Sequence, residues 1–220
     1  MPIICLEGPS AAGKTTLAAC LRDNYNAAVI PEVNLLFARE GNEHKFWYFE
    51  RQIERWRMAV KNAENYKIVI LDGDPFQPLW YNWSYGFDFG EPFEEIIDFY
   101  EKNLAASEID FPDRYFILSV ETGGLRKRKA NDESRTRENF ERHLRFIQPQ
   151  RAYFRYMKSL DDNLVEFIEN KETEESGRKI TNSIAKNSIS KKPSSLLLFS
   201  SIRNWLNNNR AEKFKSYLDI

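Results

Sequence analysis

Apolar residues along this chain come in two alternating rhythms. Short continuous runs recur at "IICLE" (Ile3–Glu7), "AAVI" (Ala27–Ile30), "KIVIL" (Lys67–Leu71), "RYFILSV" (Arg114–Val120) and "LVEFI" (Leu164–Ile168). Such runs predict strands covered on both faces. Between them, apolar positions return every three or four residues. From Glu43 to Asn65, the residues Phe46, Phe49, Ile53, Trp56, Val60 and Ala63 mark one long amphipathic helix. Lys14–Asp23, Glu91–Ala106 and Arg135–Ser159 also read as helices, with Pro149 kinking or interrupting the last. Strands separated by helices predict an α/β fold of three layers, α/β/α, built on a five-stranded parallel sheet.

Two stretches leave this rhythm. "GGLRKRKANDESRTR", Gly123–Arg137, is basic and polar without apolar anchors, which predicts a mobile basic surface loop. Residues 169–195 are polar; a helix over Thr173–Asn187 fits there, followed by a linker near Lys192 and Pro193. Beyond it Leu197, Leu198, Ile202, Trp205 and Leu206 predict a further amphipathic helix in 194–220. The expected organisation is a domain over 1–190 and a C-terminal helical extension over 194–220. That extension would pack on this domain or on a second subunit, so a homodimer stays open.

Charge narrows the classes of partner. The 32 basic and 33 acidic side chains leave a net charge of −1, so general attraction to nucleic acid or to an acidic membrane is not expected. Cys5 and Cys20 are the only cysteines; each falls in an apolar pattern, predicting buried thiols in a reducing compartment, and neither has metal-ligand spacing. No apolar run approaches the roughly 20 residues of a membrane-spanning helix, and no leader pattern precedes the first strand. A cytoplasmic protein is the expectation.

The most informative stretch is "GPSAAGKT", Gly8–Thr15, which fits G-x-x-x-x-G-K-[ST] at every fixed position. It follows a buried strand and opens a helix, the context this pattern requires. Glycines let backbone N–H groups approach phosphate oxygens closely, and the helix starting at Lys14 turns its positive end toward them. Gly8, Ser10, Ala11, Ala12, Gly13, Lys14, Thr15 and Thr16 are therefore the expected nucleotide-binding residues. The Lys14 ammonium would reach the β- and γ-phosphates, and the Thr15 hydroxyl would ligate Mg²⁺. ATP and Mg²⁺ are the expected cofactors.

The same loop resembles the Walker A segment of P-loop NTPases, and further segments narrow that group. "VILDGDP" (Val69–Pro75) resembles the D-G-x-P segment of adenylate-kinase-like enzymes. "IPEV" (Ile30–Val33) resembles the end of strand two in deoxynucleoside kinases, and "PDRYFILSVE" (Pro112–Glu121) the fourth strand of thymidylate kinases. The whole run is similar to the nicotinamide riboside kinase domain of a bacterial NAD regulator. These likenesses span about residues 2–170 and imply a P-loop kinase with a basic lid, here about 123–137.

On that resemblance, Asp72 is expected beside Thr15 as a metal ligand, and Glu32 or Asp74 as the base facing the acceptor hydroxyl. A turn-forming role stays open for Asp74, since "DGDP" is also turn chemistry. Arg126, Arg128, Arg135 and Arg137 are the lid candidates, Arg135 and Arg137 foremost as catalytic residues and Arg128 as a nucleotide ligand. The arginine that grips an acceptor phosphate in the nucleotide kinases is replaced by Phe76, although Arg39 could take its place. That favours a nucleoside or another neutral hydroxyl compound as acceptor. Seven aromatics in "FQPLWYNWSYGFDF", Phe76–Phe89, fit a wall for a planar ring, or equally a core segment.

Two rival readings stand beside the kinase. A GTPase-type switch would need D-x-x-G after strand three, where Pro75 stands instead, and N-K-x-D, where "NKET" at Asn170–Thr173 lacks the carboxylate. An antibiotic-modifying phosphotransferase would share the fold and differ only in its acceptor.

Overall fold

The computed structural model describes residues 1–86, 92–130, 140, 144–186 and 194–209. Five strands, β1 (Ile3–Glu7), β2 (Ala27–Ile30), β3 (Ile68–Asp72), β4 (Arg114–Ser119) and β5 (Val165–Glu169), form one parallel sheet in the order β2-β3-β1-β4-β5. Registers such as Ile4 beside Ile70 and Cys5 beside Tyr115 keep β1 at the centre. The carboxyl ends of β1, β2 and β3 therefore open on one rim, and in parallel sheets ligands bind at that rim.

Period-two alternation splits each strand between two cores. Ile4, Leu6, Ile70, Phe116 and Leu118 face a core closed by α1 (Lys14–Tyr25) and α8 (Thr173–Lys186). Cys5, Val69, Leu71, Tyr115 and Ile117 face the larger core. That side is covered by the short α2 (Val33–Leu36), through Leu36, and by α3 (Trp47–Asn62), α4 (Gln77–Ser84), α5 (Phe93–Ala105), α7 (Ile147–Leu160) and α9 (Ser195–Asn208). The three expected layers and the five parallel strands are present.

Helix boundaries differ where local chemistry overrode the apolar rhythm. The segment expected as a basic loop is helical over α6 (Thr122–Ala130), because Leu125 is its apolar anchor and is fully buried against the smaller core. Pro149 goes with an interruption and not a kink: Arg145 and Phe146 form a turn, and α7 begins at Ile147 with Pro149 third, in the first turn, where its missing N–H costs no helical bond. The tail helix α9 packs on this domain. It buries Leu198, Phe199, Ile202 and Leu206 in the larger core, and Trp205 stacks on Tyr156 of α7 with ring centroids 5.0 Å apart. Cys5 is buried, but Cys20 is only partly so, since α1 turns Leu17, Ala18 and Leu21 inward instead. Among the described residues no helix is long and apolar enough to cross a membrane.

Candidate nucleotide and acceptor site

The loop between β1 and α1 is shaped by close backbone approaches. A Cβ at Gly8 would lie 2.6 Å from the Leu118 carbonyl oxygen. One at Gly13, where φ is +92°, would lie 2.8 Å from the Asn170 side-chain nitrogen. Both positions therefore demand glycine. Ala11 also has positive φ, and the Ala12 N–H donates to the Pro9 carbonyl, so the loop curls into a concavity of the kind that binds anions. Lys14 folds back, its ammonium donating to the Gly8 carbonyl at 3.0 Å and standing 3.8 Å from Glu32 Oε1.

Beside it, the Thr15 hydroxyl donates to Asp72 Oδ2 at 3.1 Å. The other Asp72 oxygen, Oδ1, is buried with no hydrogen-bond partner. Burial raises the pKa of the Asp72 carboxyl, and the Lys14 charge offsets only part of the rise. An orphaned carboxylate oxygen next to a threonine hydroxyl, both oxygen donors, is chemically suited to a hard divalent cation whose other ligands are phosphate and water. Among the described residues no three His, Cys, Asp or Glu side chains gather as an all-protein metal cage.

Three supporting residues escaped the sequence reading. Glu7, the last residue of β1, is buried, and its carboxylate accepts from Gly8 N at 2.7 Å, Asp74 N at 2.9 Å and Gln150 Nε2 at 3.1 Å. Desolvation raises its pKa while the nearby Lys14 opposes the rise. Arg55 of α3 is equally buried and donates to the carbonyls of Pro31 and Asp72, both at 2.7 Å. It thereby ties the ends of β2 and β3, and so Glu32 and Asp72, to one guanidinium. Burial lowers its pKa. Only the position of Glu7, a charge closing an apolar strand, was visible beforehand; Arg55 and Gln150 sit in helices whose amphipathic pattern gives no sign of them.

The cradle opens on a cleft of about 1230 Å³. Its far wall carries Tyr48, Trp80, Tyr81 and Phe146, with the amides of Gln77 and Asn82. The Tyr48 hydroxyl donates to Gln77 Oε1 at 3.1 Å, and burial pushes its pKa up to about 12. Glu32 and Arg39 also line the cleft, with the Arg39 guanidinium over the rings of Trp47 at 5.3 Å and Tyr48 at 5.8 Å. The aromatic segment after β3 therefore divides: Phe76, Trp80 and Trp83 are core, Trp80 reaching the cleft only at an edge, while Tyr81 is partly exposed on it. Phe87 and Phe89 lie outside the described residues.

The expected site residues divide as well. The loop from Gly8 to Thr16, together with Glu32 and Arg128, borders the cleft, with Asp72 bonded to Thr15 at its edge. Only one of the two candidate bases, Glu32, lines it; Asp74 does not. It is fully buried, its Oδ1 accepting from Phe76 N and the Tyr115 hydroxyl, and its Oδ2 from Trp80 Nε1. Burial still pushes its pKa up to about 7 against those three donors. Arg126 is exposed on α6 and does not border the cleft. Arg135 and Arg137 lie outside the described residues.

An AAA domain family matches residues 3–156. No curated protein matches the chain in sequence. Among solved structures, deoxyadenosine kinase from M. mycoides with bound dCTP superposes with a TM-score of 0.55 at 18% identity, covering 84% of this chain and 100% of that one. The same enzyme with bound dATP gives 0.54 at 17% identity, over 83% and 99%. Thymidylate kinase from Candida albicans gives 0.54 at 15% identity, over 86% and 92%. The fold is that of the P-loop nucleoside and nucleotide kinases.

Proposed function

The chain belongs to the AAA domain family, and from that premise we propose an ATP-dependent kinase acting on a hydroxyl of a small ring compound, a nucleoside first of all. One observation carries the reading. A carboxylate, Glu32, stands 3.8 Å from the P-loop lysine and borders the same cleft as an aromatic wall. An NTPase that only hydrolyses or signals also positions a water, but it needs no aromatic-walled room for an acceptor beside that carboxylate. The likeness in fold to deoxyadenosine kinase from M. mycoides and to thymidylate kinase from Candida albicans supports the same class.

In this reading the loop amides and Lys14 grip the β- and γ-phosphates, and Glu32 orients the acceptor hydroxyl and takes its proton. The hydroxyl oxygen then bonds to the γ-phosphorus as the bond to the β–γ bridging oxygen breaks, leaving ADP. Thr15 and Asp72 would hold magnesium, which supplies positive charge to the phosphates when bound. The cleft's rings, Tyr81 foremost, would hold a planar acceptor by stacking. Phe76, standing where nucleotide kinases carry a phosphate-gripping arginine, is fully buried, which favours an uncharged acceptor. A small molecule, rather than nucleic acid or membrane, and a cytoplasmic location complete the proposal.

The test is turnover. The protein is incubated with Mg·ATP and a panel of nucleosides, vitamins and hydroxylated antibiotics while ADP release is followed. Release stimulated by one acceptor class supports the kinase and names its substrate, an antibiotic included. Release indifferent to every acceptor, combined with tight GTP binding, would replace it with the switch.

A further inference from the structure

The segment "NKET" fails as a guanine motif, yet its asparagine is built into the phosphate loop. Asn170, immediately after β5, is 3% exposed. Its Nδ2 donates to the Ala12 carbonyl at 2.7 Å, and its Oδ1 accepts from the Ser176 hydroxyl at 2.8 Å, which fixes which way the amide faces. The same Ala12 oxygen accepts from Arg128 of α6 at 3.0 Å, and Arg128 donates again to the Asn170 carbonyl at 2.6 Å. Two donors from different elements, one on α6 and one just after β5, thus converge on one carbonyl of the loop.

A trans peptide points its C=O and N–H in opposite directions, and the described residues contain no cis bond. Drawing the Ala12 oxygen toward Asn170 and Arg128 therefore turns the Gly13 N–H away from them. We propose that Asn170 and Arg128 are positioning residues that hold the Ala12–Gly13 peptide so that the Gly13 amide donates to nucleotide phosphate. Arg128 then acts through the Ala12 carbonyl and not by touching the phosphates itself. The absence of a side chain at Gly13 belongs to the same device, since a Cβ there would lie 2.8 Å from the Asn170 side-chain nitrogen and displace it. The proposal rests on the reading of the loop as a phosphate cradle.

A double-mutant cycle separates the two ways Arg128 could act. Binding of Mg·ATP and of inorganic tripolyphosphate is measured by calorimetry for wild type, Asn170→Ala, Arg128→Ala and the double variant, with thermal unfolding followed in parallel. Because either donor alone can hold the carbonyl, each single variant loses less than about twofold in affinity. The double variant loses about tenfold to a hundredfold, the scale of one hydrogen bond to a charged group. The loss is shared by ATP and tripolyphosphate, because the contact is to phosphate. Single losses that multiply to the double loss within about twofold overturn the proposal, as expected for an arginine that contacts phosphate directly. Should Asn170→Ala fail to fold, Ser176→Ala takes its place in the cycle, since it frees the amide to turn without emptying the site. A wild-type protein that binds neither ligand overturns this proposal and the kinase reading together; binding with an additive cycle overturns this one alone.

Discussion

Replacing Asp74 with alanine separates chemistry from architecture most sharply. A catalytic base in this position would give a stable, dead enzyme. The structure predicts the reverse order of damage. Removing the carboxylate strands three buried donors, Phe76 N, Tyr115 OH and Trp80 Nε1, and each unsatisfied donor costs about 1–3 kcal/mol. Relief of the buried charge offsets part of this, leaving a net loss of about 3–5 kcal/mol, at the severe end for a single substitution. At about 2–4 °C per kcal/mol for a domain this large, the unfolding temperature falls by roughly 10 °C. Scanning calorimetry measures the fall. The charge also has a pH signature. The carboxyl ionises near 3.8 in its ordinary setting but at about 7 in the fold, so between those values the folded state holds the extra proton. Its stabilising contribution is therefore full below about pH 4 and is lost as pH rises through about 7. In Asp74→Asn that part of the pH dependence disappears. An Asp74→Ala protein that unfolds within 2 °C of wild type and yet has lost all transfer activity would refute the reasoning and restore Asp74 as the base.

Three other outcomes follow from the same geometry. Lys14→Ala should abolish phosphoryl transfer while leaving the unfolding temperature nearly unchanged, because its ammonium makes a 3.0 Å bond to the loop carbonyl of Gly8 and anchors no core; turnover assays and calorimetry check both halves. Asp72→Asn should raise the magnesium concentration needed for half-maximal nucleotide binding by tenfold or more, since the orphaned Oδ1 is the atom offered to the cation; a magnesium titration at fixed ATP reads it. Phe199→Ala should destabilise the protein by about 3–5 kcal/mol in denaturant titration, as for other large side chains removed from a core.

Much of this protein was legible in the order of its residues. Continuous apolar runs such as "IICLE" fix strand type, since a strand with no polar face must be covered on both sides, and the crossover helices then make the sheet parallel. The cradle was legible too, because its chemistry is local: glycine, lysine and threonine act within eight consecutive residues. Tertiary structure alone decided the rest. Asp74 and Glu32 are both carboxylates just beyond strand ends, and no local pattern says which faces a cleft and which meets Tyr115 and Trp80 in the core. Arg55 looks like any charged helical residue until the fold carries it beneath two strand ends. Asn170 lies 158 residues from the carbonyl it holds. The covalent order of the chain determines which backbone shapes are open to each segment. Contacts between distant segments form only when the apolar faces close on one another, and those contacts decide which polar groups are left for chemistry.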